Sequence, residues 1–167
     1  MNRKLMFSNV NNAWCTPQDF FDKLNAEFDF TLDPCATAKN HKCENYFTRA
    51  DDGLTKNWGG QIVFMNPPYG REIGKWVEKI SREGGVALLP ARTDTRWFHD
   101  YIYGKAEIRF LRGRLKFGGS SNSAPFPSMV CVFKRKEPAI GVCLKMSPTI
   151  PQMRRKREQD DDRKSSY

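Results

Sequence analysis

Gln61 to Glu83 reads QIVFMNPPYGREIGKWVEKISRE, and the punctuation between its pieces decides the architecture. Gln61 to Met65 is a short apolar run of the kind that forms a strand buried on both faces. Asn66-Pro67-Pro68-Tyr69-Gly70 stops it, because consecutive prolines lack the N–H that a ladder needs. From about Arg71 to Glu83, Ile73, Trp76, Val77 and Ile80 recur at helical spacing, and Gly84-Gly85 ends the helix. Val86 to Leu89 is a second buried strand. Strand, tight turn, amphipathic helix and strand together are the repeating unit of a parallel sheet with helices on its faces. Such sheets bind ligands at the carboxyl ends of their strands, where Asn66 to Tyr69 fall.

Upstream, Thr16-Pro17 with Asp19 reads as an N-cap, a proline in the first helical position and an acid that suits the helix dipole. Phe20, Phe21, Leu24 and Phe28 share one face of that helix, and Phe28 to Leu32 alternates as a strand ending at Asp33-Pro34. Residues 36–60 are polar and loop-like. Downstream, Thr93 or Asp94 caps a helix carrying Trp97, Phe98, Tyr101 and Ile102. Ala106 to Leu111, Leu115 to Phe117, Ser128 to Phe133 and Ile140 to Leu144 read as strands, the last two antiparallel across the charged turn at Lys134 to Pro138. The expected fold is α/β, with a mostly parallel sheet and an antiparallel C-terminal edge.

The chain has 167 residues, 28 Lys+Arg and 19 Asp+Glu, hence a formal charge of +9. That length suits one domain, expected over residues 1–146, and the 13% aromatic content supplies bulk for a core. From Ser147 on, large apolar residues nearly vanish and charge blocks appear, so 147–167 reads as an unfolded tail. The tail carries six Lys/Arg and four Asp/Glu, which leaves +7 on the body. The basic balance favours a polyanion, most simply nucleic acid. No apolar run is long enough for a membrane span or a signal peptide, so the expected location is the cytoplasm. Five cysteines with no C-x-x-C pair read as reduced thiols.

Asn66-Pro67-Pro68-Tyr69 carries the chemistry. An exocyclic amine such as adenine N6 is a poor nucleophile, because its lone pair is delocalised into the ring. Two acceptors fixed on its two hydrogens draw the nitrogen toward tetrahedral geometry and aim the lone pair at an electrophile. The Asn66 side-chain oxygen and the Pro67 carbonyl suit that role, Pro68 removes a competing N–H, and Tyr69 offers a face on which a flipped base can stack. The bland alternative is a strand-terminating turn with an aromatic plug.

Several motifs in fixed order, from about Trp14 to Phe133, resemble the small phage-associated DNA N6-adenine methyltransferases, Dam-like in activity. They are Trp14-Cys15-Thr16-Pro17, Leu32-Asp33-Pro34-Cys35-Ala36, Asp52-Gly53-Leu54, Asn66-Pro67-Pro68-Tyr69-Gly70, Leu89 to Thr95 with Trp97-Phe98-His99, and Arg114 to Phe117 followed by Pro125 to Ser128. The resemblance implies S-adenosylmethionine as methyl donor, a Rossmann-like methyltransferase fold, and as partner double-stranded DNA with a flipped adenine. It places Thr16, Pro17, Asp33, Pro34, Cys35 and Ala36 at the methyl donor. Asp33 would face the donor's ammonium or sulfonium and Asp52 a ribose hydroxyl, with plain Asp-Pro and Asp-Gly turns as the alternatives. The chain departs from the family at Thr37-Ala38-Lys39-Asn40, where a Gly-x-Gly turn usually follows.

Arg92, Arg112, Arg114 and Lys116, with Arg96 and Arg109, form a basic set suited to phosphates, or else a solvated face. Phe117 either closes the base pocket opposite Tyr69 or packs in the core. Cys35, His41 and Cys43 match no common zinc spacing. Methyltransferases acting on RNA adenine or on a protein glutamine amide share the Asn-Pro-Pro-Tyr site, and a catalytically silent nucleic-acid-binding module is the reading from another class.

Overall fold

The computed structural model describes residues 14–119 and 122–135. The expected strand at Ile140 to Leu144, its turn, and the boundary and tail from Ser147 lie outside the described residues.

Helix α1 (Gln18–Phe28) carries Asp19 in its first turn and buries Phe21 and Leu24. Pro17, not Thr16, occupies the N-cap position, and no side chain caps the helix start. The helix runs through Phe28, so the expected strand at Phe28 to Leu32 is displaced. Asp29 turns left-handed at φ 56° and donates its N–H to Asn25 O, and the Asn25 side chain then accepts the N–H of Phe30 at 2.8 Å. That double use of Asn25 closes the helix end, and the extended chain starts only at β1 (Leu32–Asp33).

β1 pairs in parallel with β2 (Asn45–Tyr46) and bridges in parallel to Val63, just before β3 (Phe64–Met65). β2 was hidden in the polar stretch because an exposed edge strand needs only backbone partners. β3 pairs in parallel with β4 (Gly85–Pro90). Between them runs α2 (Ile73–Glu83), burying Ile73, Trp76, Val77 and Ile80 as its spacing requires. A Cβ on Gly85 would stand 2.8 Å from Val63 Cβ, so the β3–β4 approach depends on glycine there.

β4 is followed by α3 (Arg96–Tyr101), capped in position by Thr95 and not by Thr93 or Asp94, then by β5 (Glu107–Phe110) and β6 (Ser128–Phe133). The sheet order is β3-β4-β6-β5, with β6 antiparallel to both neighbours. The antiparallel strand thus sits inside the sheet and not at its edge. Its side chains are nearly all buried, which an edge position would not provide. Because β6 opposes both β4 and β5, those two run in the same direction. Leu115 to Phe117 is no strand: Phe117–Gly119 forms a 3-10 turn through Gly118 at φ 60°.

Two apolar clusters cover the sheet. Along β4, Val86 and Leu88 join Phe21, Leu24, Phe30 and Phe64 beneath α1, while Ala87 and Leu89 join Trp76, Val77 and Ile80 beneath α2. This alternation is the period of an extended strand with helices on both sides. Trp58, fully buried, stacks on Trp76 at 6.3 Å and donates from Nε1 to Gly53 O at 3.0 Å. Lys79 lays its ammonium over the Trp58 ring at 4.7 Å and pairs with Glu83, which reconciles a cation with its burial. Among the described residues no helix is long and apolar enough to cross a membrane.

Candidate active site

Asp33 ends β1 and Asn66 follows β3, so the parallel bridge between these strands sets both residues at the carboxyl ends of neighbouring strands. Both line a cavity of about 20 Å³, together with Trp14, Cys15, Thr16, Cys35, Asn40, Lys42 and Phe64. The arrangement unites the expected catalytic asparagine with three expected methyl-donor residues, Thr16, Asp33 and Cys35. The cavity has room for about one water.

The Asn66 amide is asymmetric in its bonding. Its Nδ2 donates to Trp14 O at 2.6 Å and to Thr16 Oγ1 at 3.0 Å. Its Oδ1 is buried without a hydrogen-bond partner among the described residues. A buried acceptor left unmade costs roughly 1–3 kcal/mol, so the oxygen is available to a donor beyond the described residues. Pro67 is buried and Pro68 exposed, and the two hold the turn on which Asn66 stands.

The Asp33 carboxylate is only 5% exposed. It accepts the N–H of Cys35 at 3.2 Å and of Lys42 at 3.1 Å. Burial pushes its pKa up to about 6, opposed by those two bonds and by the charges of Lys42 and His41. Pro34 and Ala36 are buried, and Ala36 donates its N–H to Phe47 O, extending the β1–β2 pairing. Where glycines were missed after Ala36, side chains make the turn. Asn40 Oδ1 accepts from the Thr37 N–H at 2.6 Å and its hydroxyl at 2.9 Å, and Asn40 Nδ2 reaches Cys15 Sγ at 3.3 Å.

Asp52 is exposed, sits at φ 51°, and accepts the Leu54 N–H at 3.3 Å in its own turn. It does not line the cavity. Its neighbour Gly53 packs closely against the Asp33–Ala36 loop: a Cβ there would lie 2.3 Å from Pro34 O. The Asp52-Gly53 turn therefore backs the Asp33–Ala36 loop.

Tyr69 points its hydroxyl inward, donating to Leu88 O at 3.2 Å, and burial drives its phenol far above the usual range. Its ring meets Phe126 edge-on at 5.4 Å and Phe117 at 6.4 Å and 87°. Phe117, 4% exposed, packs beside Trp14 at 5.6 Å. Phe117 is buried and stands edge-on to Tyr69, so the two rings do not face each other as parallel walls. Sequence reasoning missed Trp14 and Phe126 as members of this aromatic cluster, and Asn40 and Lys42 as cavity residues. Trp14 and Phe126 stand inside quoted motifs without a role read for them, and the only signal for Asn40 and Lys42 was proximity to the Asp33–Ala36 motif.

The basic set divides. Arg109 grips Glu27 through two bonds of 2.7 Å and reaches Glu107 at 2.6 Å, so it ties β5 to α1. Arg96 pairs with Asp100 one turn on. Arg92, Arg112 and Lys116 are exposed, and Arg114, also exposed, reaches Ala124 O at 3.3 Å. Arg92 follows β4, and Arg112, Arg114 and Lys116 follow β5. Arg71, exposed just past Tyr69, joins them beyond β3. All lie past the carboxyl ends of strands that run in one direction, as Asn66 does. His41 stacks on Tyr46 at 4.3 Å and its Nδ1 lies 2.9 Å from Cys43 O. Cys15, Cys35, Cys43 and Cys131 are free thiols.

A family model described as DNA N-6-adenine-methyltransferase (Dam) matches residues 5–156. The chain belongs to the Dam family. It is 30% identical over 140 residues to the DNA N-6-adenine-methyltransferase of Haemophilus phage HP1, covering 76% of this chain and 81% of that protein. To the protein of the same name from Escherichia phage T1 it is 30% identical over 112 residues, 64% of this chain and 47% of that one. A putative methyltransferase of Escherichia coli K12, YfdM, is 34% identical over 67 residues, 36% of this chain and 74% of that protein. Membership in the Dam family implies a methyl donor, and the cavity residues fit one. A buried carboxylate such as that of Asp33 suits a cationic group.

Proposed function

We propose that this chain transfers a methyl group from S-adenosylmethionine to N6 of adenine in double-stranded DNA, within one catalytic domain over residues 1–146. The observation that carries the reading is Asn66, whose buried Oδ1 has no hydrogen-bond partner among the described residues, lining the same cavity as Asp33. The proposed architecture is Rossmann-like: β1 to β4 pair in parallel and the site lies at their carboxyl ends.

In this reading a flipped adenine presents its amine to Asn66 Oδ1 and the Pro67 carbonyl, which accept its two hydrogens and free the nitrogen lone pair. S-adenosylmethionine, when bound, supplies an electrophilic methyl carbon on a cationic sulfonium. Asp33, with Pro17 and the Pro34–Ala36 loop around it, holds the positive groups of the methyl donor, while Asp52 stands behind that loop. Neither Asn66 nor Pro67 is basic, so the proton leaving the methylated nitrogen passes to water. Tyr69 offers its ring to the base once Phe126 gives way. Arg92, Arg112, Arg114 and Lys116 hold phosphates past the strand ends. Family membership favours DNA over RNA or a protein amide as acceptor.

The test is to incubate the purified chain with unmethylated DNA and methyl-labelled S-adenosylmethionine, then to analyse the nucleosides by mass spectrometry. Labelled N6-methyladenine is expected in DNA and not in RNA. Binding of DNA without any labelled nucleoside would overturn the reading.

A further inference from the structure

Asparagine amides rotate, and an amide turned by half would face a substrate amine with another donor. What prevents this here is the segment just before α1. Asn66 Nδ2 has two hydrogens and two acceptors, Trp14 O at 2.6 Å and Thr16 Oγ1 at 3.0 Å. A carbonyl cannot donate, so turning the amide would set Oδ1 against Trp14 O, acceptor against acceptor. The segment itself is pinned between its two acceptors: Cys15 O accepts the Gly118 N–H at 2.9 Å, and Cys15 Sγ meets Asn40 Nδ2 at 3.3 Å. Thr16 is 5% exposed and its side chain is not the cap of α1. Its hydroxyl is therefore free of helix duty and committed to Asn66.

We infer that Thr16 is a positioning residue for Asn66: the Trp14 carbonyl, which can only accept, sets which end of the amide faces it, and the Thr16 hydroxyl, taking the second Nδ2 hydrogen, holds that amide in place so that its oxygen faces the substrate amine. The inference deepens the proposed function and rests on it. It differs from a role for Thr16 in holding the methyl donor, because it assigns the hydroxyl to kcat and not to cofactor affinity.

The test compares Thr16→Val, Thr16→Ala and Thr16→Ser, each checked for folding by thermal denaturation, in the parent and in an Asn66→Ala background. With the hydroxyl gone, kcat should fall roughly ten- to a hundredfold, with S-adenosylmethionine and DNA affinities within about twofold of the parent. Thr16→Ser should restore most of the rate. In the Asn66→Ala background the same loss should change kcat less than about twofold, since no amide oxygen remains to be aimed. Should Thr16→Val fail to fold, Thr16→Ala removes the same hydroxyl without adding bulk. A loss of cofactor affinity that saturation repairs would overturn the inference in favour of a methyl-donor contact. An equal loss in both backgrounds would overturn it in favour of general packing. If the parent methylates and Asn66→Ala does not, but Thr16→Val matches the parent, the inference alone fails. If the parent transfers no methyl, the proposed function fails and the inference with it.

Discussion

Asp33 and Asn66 stand at the carboxyl ends of neighbouring strands and line one cavity, the first with a buried carboxylate and the second with a buried amide oxygen that has no partner among the described residues. Replacing Asn66 by Ala removes an acceptor whose bond strengthens as the amine gains positive charge. The expected cost is about 3–4 kcal/mol of barrier, roughly a hundred- to a thousandfold in kcat. DNA and S-adenosylmethionine affinities should change far less, so single-turnover kinetics beside equilibrium binding separates this outcome from a folding defect.

Asp33 links the site to pH. With its folded pKa raised to about 6 by burial, the native state holds a proton between about pH 4 and 6 that the unfolded chain has released. Stability from this group is therefore highest below that window and declines as pH rises through it, by on the order of 2–3 kcal/mol in all. Binding of a cation needs the ionised form, so cofactor affinity should run the opposite way and weaken as pH falls below about 6. Calorimetry from pH 5 to 8 should show this dependence in the parent and lose it in Asp33→Asn, which should bind weakly throughout.

Gly53→Ala should displace the Pro34 carbonyl, because no Cβ fits 2.3 Å from an oxygen. The expected loss is about 1–3 kcal/mol of stability together with weaker cofactor binding, although Gly53 does not line the cavity. Urea unfolding and cofactor titration of one preparation check both effects.

Replacing Arg112 and Lys116 together by Ala should lower DNA affinity and flatten the dependence of log K on log salt by about 1.8, two phosphate contacts at about 0.9 each. Arg109→Ala is the contrast, since Arg109 is held by Glu27 and Glu107. It should cost some stability while the salt slope stays within error of the parent. Equal slopes in all three proteins would make the Arg112–Lys116 segment a solvated face.

Tyr69→Phe and Tyr69→Ala should part ways. The phenylalanine loses only the inward bond to Leu88 O, about 1 kcal/mol of stability, and keeps the ring. Its methylation rate should stay within a few-fold of the parent. The alanine removes the face on which a base stacks, worth roughly 1–3 kcal/mol, and should depress both DNA capture and turnover.

Local pattern carried the α2 segment and its flanking strands, because Ile73, Trp76, Val77 and Ile80 must share a face wherever that helix packs. It also placed Asn66 and Asp33 at strand ends, since prolines stop both strands at their carboxyl ends, where parallel sheets leave space. Patterning of this kind did not reach β2, whose pairing is purely backbone, or the place of β6, since apolar runs state burial but not neighbours or direction. Nor did it separate Arg109 from Arg112: two arginines of one basic stretch differ only because Glu27, 82 residues away, comes to meet one of them. Long-range packing likewise made Phe117 a core residue and turned Thr16 from helix cap to partner of Asn66. A side chain's chemistry belongs to its residue type, but the group that spends its hydrogen bonds is chosen by whatever the folded chain brings alongside.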